Sequence, residues 1–214
     1  MSPSTRRNPR NVAPGEGSRF PGPAGAPYPR TVDSWTEITD LADLIDLVGE
    51  PHPALNEKVH ATLTEQDLVW LAASPLCFVG TSDAEGRQDV SPKGDPSGQL
   101  VHVIDERTIA LAERPGNRRV DGYRNLLQNP QIGLNFVIPG RNETVRINGR
   151  ARLVRDAPWF DALAVAGKRP LLATVVEIEE IFFHCARAFL RGKVWKHEQW
   201  ERDTEIPEYA KVLY

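Results

Sequence analysis

The sequence predicts a mainly β domain, an antiparallel barrel or sandwich with a few peripheral helices. Three observations carry that prediction. Between Leu76 and Phe183, short runs rich in Val, Ile, Thr and Phe recur, several of them alternating apolar with polar residues in the period of two that marks a half-buried strand. Turn-forming clusters join these runs in pairs, as in Asp83 to Gly86 and Pro139-Gly140-Arg141-Asn142, which is the hairpin pattern. Helical spacing is confined to short stretches, so the regular strand–helix alternation of a parallel sheet is missing.

Taken in order, residues 1–30 are dense in Pro, Gly and Arg with almost no aliphatic side chains. Such a segment cannot bury enough surface to offset the entropy of ordering and is expected to be a disordered tail. A helical lead-in over 31–75 follows. Trp35, Ile38, Leu41, Leu44 and Ile45 recur at three-to-four spacing, and a second helix over Leu63 to Ala72 has Thr64 as its N-cap; both are expected to clad the sheet. The barrel domain spans 76–200. LCFVGTSDAEGRQDVSPKG makes the first strand pair, VHVID and TIALA the second, and QIGLNFVIPGRNETVRINGRARLV the third. In the last of these, Val145, Ile147, Ala151 and Leu153 face one way and Thr144, Arg146, Asn148, Arg150 and Arg152 the other, with Gly149 interrupting the apolar row as at a bulge. A helix from about Pro158 to Gly167 precedes a final strand, LLATVVEIEEIFF, and residues 201–214 form a C-terminal tail. Six or more antiparallel strands result.

Composition bounds the function. A chain of 214 residues with a formal charge of −3 supports one core and gives no global reason to expect a polyanion partner. Cys77 and Cys185 are the two cysteines, too few for a disulfide framework and without metal spacing, which fits a reducing compartment. No apolar run reaches the ~18 residues of a membrane span, and the apolar core of a secretory signal is missing from the N-terminus. A soluble cytoplasmic protein is the expectation, with neither nucleic acid nor membrane as partner.

Two segments can carry chemistry. In ERPGNRRVDGYRNLLQNP, residues 113–130, Gly116 and Asn117 lead into a helix with Val120, Tyr123, Leu126 and Leu127 on its apolar face, closed by Asn129-Pro130. Arg118 and Arg119 then fall in the first turn, where a cation is unfavourable against the helix dipole by roughly 0.3–1 kcal/mol unless an anion is bound. Free N–H groups, Asn117 and two guanidinium forks make a cradle for a phosphate monoester; the bland alternative is a solvated helix end that binds nothing. In DVSPKG, residues 89–94, a strand ends in Ser91, a stiffening proline, Lys93 and a permissive glycine, an end suited to the edge of a flat heterocycle, or else a plain edge strand protected by Pro and Lys. His184 beside Cys185 lacks an orienting third residue and is assigned no catalysis. His52, His60 and His102 lack metal spacing, so no metal site is expected.

The ordered set DVSPKG, GNRRVDGYRNLLQNP, GLNF and ETVRINGRARLV, over about residues 65–195, resembles the pyridoxamine 5′-phosphate oxidase-like flavoproteins, most closely an uncharacterised branch carrying Ser-Pro-Lys/Arg-Gly and Gly-Asn-Arg-Arg blocks. The resemblance implies a six-stranded split β-barrel, a homodimer with flavin mononucleotide (FMN) at the subunit interface, and oxidoreduction of a small molecule by flavin hydride transfer. Carried over by position, Asn117, Arg118 and Arg119 would hold the phosphate, and Ala112 and Glu113 would lie beside ribityl and ring. Val90, Ser91 and Pro92 would present backbone to the isoalloxazine edge, Thr144 would meet the ring, and Trp195, with Arg191 or Lys193, would reach the partner's flavin. Lys93, near N1 and the C2 carbonyl, is the expected catalytic charge. Departures from the oxidases are Asn117 for serine, Arg119 for lysine, Thr144 for glutamine and Asp89 for a phosphate-binding arginine. The terminal basic substrate motif is absent from DTEIPEYAKVLY, so pyridoxamine phosphate is not the expected substrate. Two alternatives stay open: a haem- or F420-binding barrel, and a non-catalytic module using Arg146, Arg150 and Arg152.

Overall fold

The computed structural model describes residues 36–53, 57–116 and 118–200; the expected tails at 1–30 and 201–214, together with Trp35 and Asn117, lie outside them. The chain divides into two units, residues 1–50 and 51–214. Within the first, helix α1 (Leu41–Val48) starts at Asp40, whose carboxylate accepts from the Asp43 amide at 2.9 Å, a side-chain N-cap.

The second unit holds a seven-stranded antiparallel sheet, so the strand count of the sequence pattern, six or more, includes the answer and the six implied by resemblance is corrected. Helix α2 (Glu65–Ala73) leads in, with Thr64 and Asp67 closing a capping box. Three hairpins follow: β1 (Leu76–Ser82) with β2 (Gln88–Gly94), β3 (Val101–Asp105) with β4 (Thr108–Ala112), and β5 (Gln131–Val137) with β6 (Glu143–Val154). The short helix α3 (Asp121–Leu126) separates the second and third, and β7 (Ala173–Cys185) is last before the five-residue α4 (Arg187–Arg191). Spatial order is β2-β1-β5-β6-β7-β4-β3. The edge strand β2 is fully laddered: every one of its residues has a partner on β1.

The long strands β6 and β7 join the two halves. β6 pairs with β5 through its first part and with β7 along its whole length, while β4 pairs only with residues 173–177 of β7. Register slips between Asn148 and Gly149, as the glycine suggested, but the two-for-one count puts the extra residue on β7: Asn148 faces Glu180 and Gly149 faces Ile178, leaving Glu179 unmatched. Gly149 is needed for close approach, because a Cβ there would lie 2.1 Å from the Glu177 carbonyl oxygen. Inward residues of both halves, among them Cys77, Ile109, Phe136, Ile147 and Ile178, form one core that Leu71 of α2 and Leu126 of α3 complete.

One local expectation is corrected. The helix expected from Pro158 to Gly167 is a single 3-10 turn, Phe160–Leu163, with no side-chain cap, and Phe160 and Leu163 bury into a small satellite cluster. Thr144 lies on the face of β6 expected for it, opposite Val145, but is buried there; its hydroxyl donates to the His184 carbonyl at 3.4 Å near the strand end.

Candidate functional site

Because β2 and β4 lie in different halves of the sheet and do not pair, a cleft opens between them, roofed by α3. Its volume is about 220 Å³, with Val79, Leu111 and Leu134 among its apolar walls and Ser91, Lys93 and Arg119 among its polar ones. Alternation on β2 turns Asp89, Ser91 and Lys93 to the half-buried side, while Val90 and Pro92 turn to the exposed side and reach the cleft along the strand edge.

At one end, the Lys93 ammonium donates to a Glu113 carboxylate oxygen at 2.9 Å and to the Tyr123 hydroxyl at 3.0 Å, with its charge 4.9 Å from the Tyr123 ring centroid. The Tyr123 hydroxyl in turn donates to the same Glu113 oxygen. Glu113 follows β4 directly, fixed there by its amide donating to the Leu172 carbonyl at 2.9 Å. Burial, followed by the hydrogen bond to Glu113 and that group's charge, pushes the Tyr123 phenol well above its ordinary range, so it stays protonated. The next residue repeats the device one step outward: Arg114 binds Asp95 at 2.9 Å and donates to the Leu163 carbonyl at 2.8 Å. Two ion pairs therefore tie β2 and its continuation to the end of β4 across the split.

At the other end stand Asp89, Asp121, Gly122 and Arg119. Arg119 binds Asp121 at 2.5 Å; that bond and the Asp121 charge hold the guanidinium firmly cationic, with Asp89 adding to it. The two ends are about 13 Å apart along β2, four residue steps of ~3.3 Å. Helix α3 is held over the cleft by Asn125 donating to the Thr81 hydroxyl at 3.1 Å and by Asn129 donating to Ser82 at 2.9 Å. Gly122 makes the close fit possible, since a Cβ there would lie 3.2 Å from Asp89 Oδ2 and 3.5 Å from Thr81 Oγ1.

The cleft thus gathers Val90, Ser91, Pro92, Lys93, Ala112 and Arg119, with Glu113 bonded to Lys93. It does not gather Arg118, Thr144 or Trp195. The helix begins at Asp121, not at the arginines, because Arg118 takes a left-handed φ of +60°. The dipole conflict inferred from sequence is therefore absent: the first turn carries the acid Asp121, and Arg119 precedes it. Trp195 packs on Phe189 at 5.3 Å, and its indole donates to the Arg141 carbonyl. Tyr123 and Asp121 were missed as site residues. Tyr123 was read as part of an apolar helix face, yet a half-buried tyrosine needs a partner for its hydroxyl, and that need was the available signal. Cys77 is fully buried, which pushes its thiol up to about 12 and makes it inert. Among the described residues no cluster suits a metal ion, and no helix is long and apolar enough to cross a membrane.

An antiparallel split sheet with a cleft at the split, lined by the ion-paired Lys93 and Arg119, defines the class, and comparison places the chain within it. Residues 63–185 match the pyridoxamine 5′-phosphate oxidase family, and the chain belongs to that family. Similar solved structures include HupZ of Group A Streptococcus, 22% identical over 58% of this chain and 95% of that one with a TM-score of 0.46. Others are a Clostridium acetobutylicum protein related to general stress protein 26, of the pyridoxinephosphate oxidase family (17%, 56%, 87%, 0.42), and an F420 reductase (15%, 56%, 98%, 0.42). No curated protein matches the chain.

Proposed function

We propose that the chain is an FMN-dependent oxidoreductase of a small molecule, working as a cytoplasmic homodimer. The observation that carries the reading is the cleft itself: a guanidinium held by Asp121 at one end and an ammonium–hydroxyl pair held by Glu113 at the other, joined by apolar walls. An anionic ester at one end of a ligand and a flat polar heterocycle at the other suit that donor set. Arg119, with Arg118 on the adjoining turn, would hold the phosphate. Ser91 and the β2 edge at Val90 and Pro92 would face the ring, and Lys93 would supply positive charge beside it. When bound, the flavin supplies the electron chemistry. The protein's part is to orient the ring, exclude water with α3 and the apolar walls, and keep the Tyr123 proton in place.

A volume of about 220 Å³ falls below the ~300–1,000 Å³ of typical ligand pockets, which supports a site completed by a second copy. The sheet face turned from the core supports the same reading. Val90 is 67% and Phe78 37% exposed there, and the neighbouring Asn135 carries a buried amide oxygen without a hydrogen bond. Trp195, which lies outside this cleft, is placed toward the partner's half-site. The test is a titration of chromophore-free protein with FMN, F420 and haem. Saturable FMN binding at one per chain, with weaker binding of the others, supports the reading; preferred binding of F420 or haem replaces it with the corresponding barrel function.

A further inference from the structure

Lys93 does not face the cleft as an isolated charge. Its ammonium shares a carboxylate oxygen of Glu113 at 2.9 Å, and the two side chains are similarly shielded, 25% and 22% exposed. A ligand beside Lys93 therefore meets a close ion pair, whose field falls off faster than that of a lone cation. The pair is held from three elements: Lys93 on β2, Glu113 after β4, and Tyr123 on α3, whose hydroxyl donates to Glu113 while accepting from Lys93.

Resting on the flavin reading above, we infer that Glu113 sets the reduction potential of the cleft's cofactor by offsetting the charge of Lys93, and that Tyr123 is the positioning residue that keeps the carboxylate in place. A reduced flavin ring carries more negative charge than an oxidised one, so a lone cation beside it would favour reduction, whereas the Lys93–Glu113 pair largely cancels that preference. The cleft is thereby biased toward a flavin that gives up electrons readily, as reductive chemistry on a substrate requires.

The experiment measures the midpoint potential of FMN bound to the full chain, equilibrated with a reference dye, in wild type, Glu113→Gln, Lys93→Met and the double variant. Glu113→Gln should raise the affinity for reduced over oxidised FMN by about tenfold or more, a positive shift of about 30 mV for a two-electron couple. Lys93→Met should shift the potential the opposite way. The double variant, again without net charge at the pair, should return to within about threefold of wild type in that ratio, an outcome that loss of packing alone would not give. Tyr123→Phe, which keeps both charges, should move the potential less than Glu113→Gln does. FMN bound at an unchanged potential in both single variants would overturn the inference and leave the flavin reading standing. Failure of the wild-type chain to bind FMN would overturn the flavin reading, and this inference with it.

Discussion

Replacing Arg119 with alanine separates phosphate recognition from ring recognition. Its side chain is 78% exposed and pairs with Asp121 at 2.5 Å, and exposed pairs of this kind contribute about 0–1 kcal/mol to folding. The variant should therefore fold with little change in thermal midpoint. A charge-assisted hydrogen bond to a ligand contributes about 1.5–3 kcal/mol; since Asp121 already holds the guanidinium and must share it with an incoming phosphate, the lower end applies. A loss of about 1.5 kcal/mol is a roughly tenfold rise in Kd for FMN. Riboflavin, which has the ring without the phosphate, should bind wild type and variant alike. Flavin fluorescence titrations of the two ligands against both proteins measure these changes. Unaltered FMN affinity, or an equal loss for FMN and riboflavin, would refute the assignment of Arg119 to the phosphate.

Gly122→Val should keep the fold but weaken FMN at least about tenfold, because the added branches start from a position 3.2 Å from Asp89 Oδ2 and 3.5 Å from Thr81 Oγ1 on the cleft wall; circular dichroism with flavin titration reads both effects. Gly149→Ala should destabilise by about 3 kcal/mol, since its Cβ meets the Glu177 carbonyl oxygen at 2.1 Å and the backbone of β7 must shift; a midpoint about 6–12 °C lower in a thermal scan is expected for a chain of this size. Burial pulls His60 down, but its hydrogen bonds to Asp67 at 2.7 Å and to the Lys58 carbonyl, with the Asp67 charge, outweigh burial and raise it above 6.5. A raised histidine stabilises the fold fully below its unfolded value near 6.5 and loses that contribution as pH rises through the higher folded value. Urea midpoints of wild type should therefore fall across that window relative to those of His60→Gln, and parallel pH profiles would contradict the assignment.

The strands were legible because alternation is a local signal. Val145, Ile147 and Ala151 on β6 are buried as their spacing implies, and Asp83 to Gly86 turns between β1 and β2. Thr64 was legible as an N-cap for a comparable reason, since a capping box is written in four consecutive residues. The start of α3 was not. Propensity allows a helix through Arg118 and Arg119, but Arg118 takes a left-handed backbone state and the helix starts only at Asp121. Thr144 shares the face of Arg146 and Asn148 as its spacing implies, but it is buried, because near a strand end a hydroxyl can bury by bonding a neighbouring carbonyl. Within the candidate site, Lys93, Arg119 and the β2 edge were readable as a string of residue types. The Lys93–Glu113–Tyr123 contact joins positions 20 and 30 residues apart, and no periodicity reports a contact made across a split between two half-sheets.

The central claim, that this cleft holds FMN, is tested most directly by the visible spectrum of the purified full chain, with heat release and chromatographic identification of the chromophore. The account predicts the blue absorption of oxidised flavin and release of FMN at about one per chain, lost when Gly122→Val fills the cleft. A colourless protein that takes up no added FMN would contradict it.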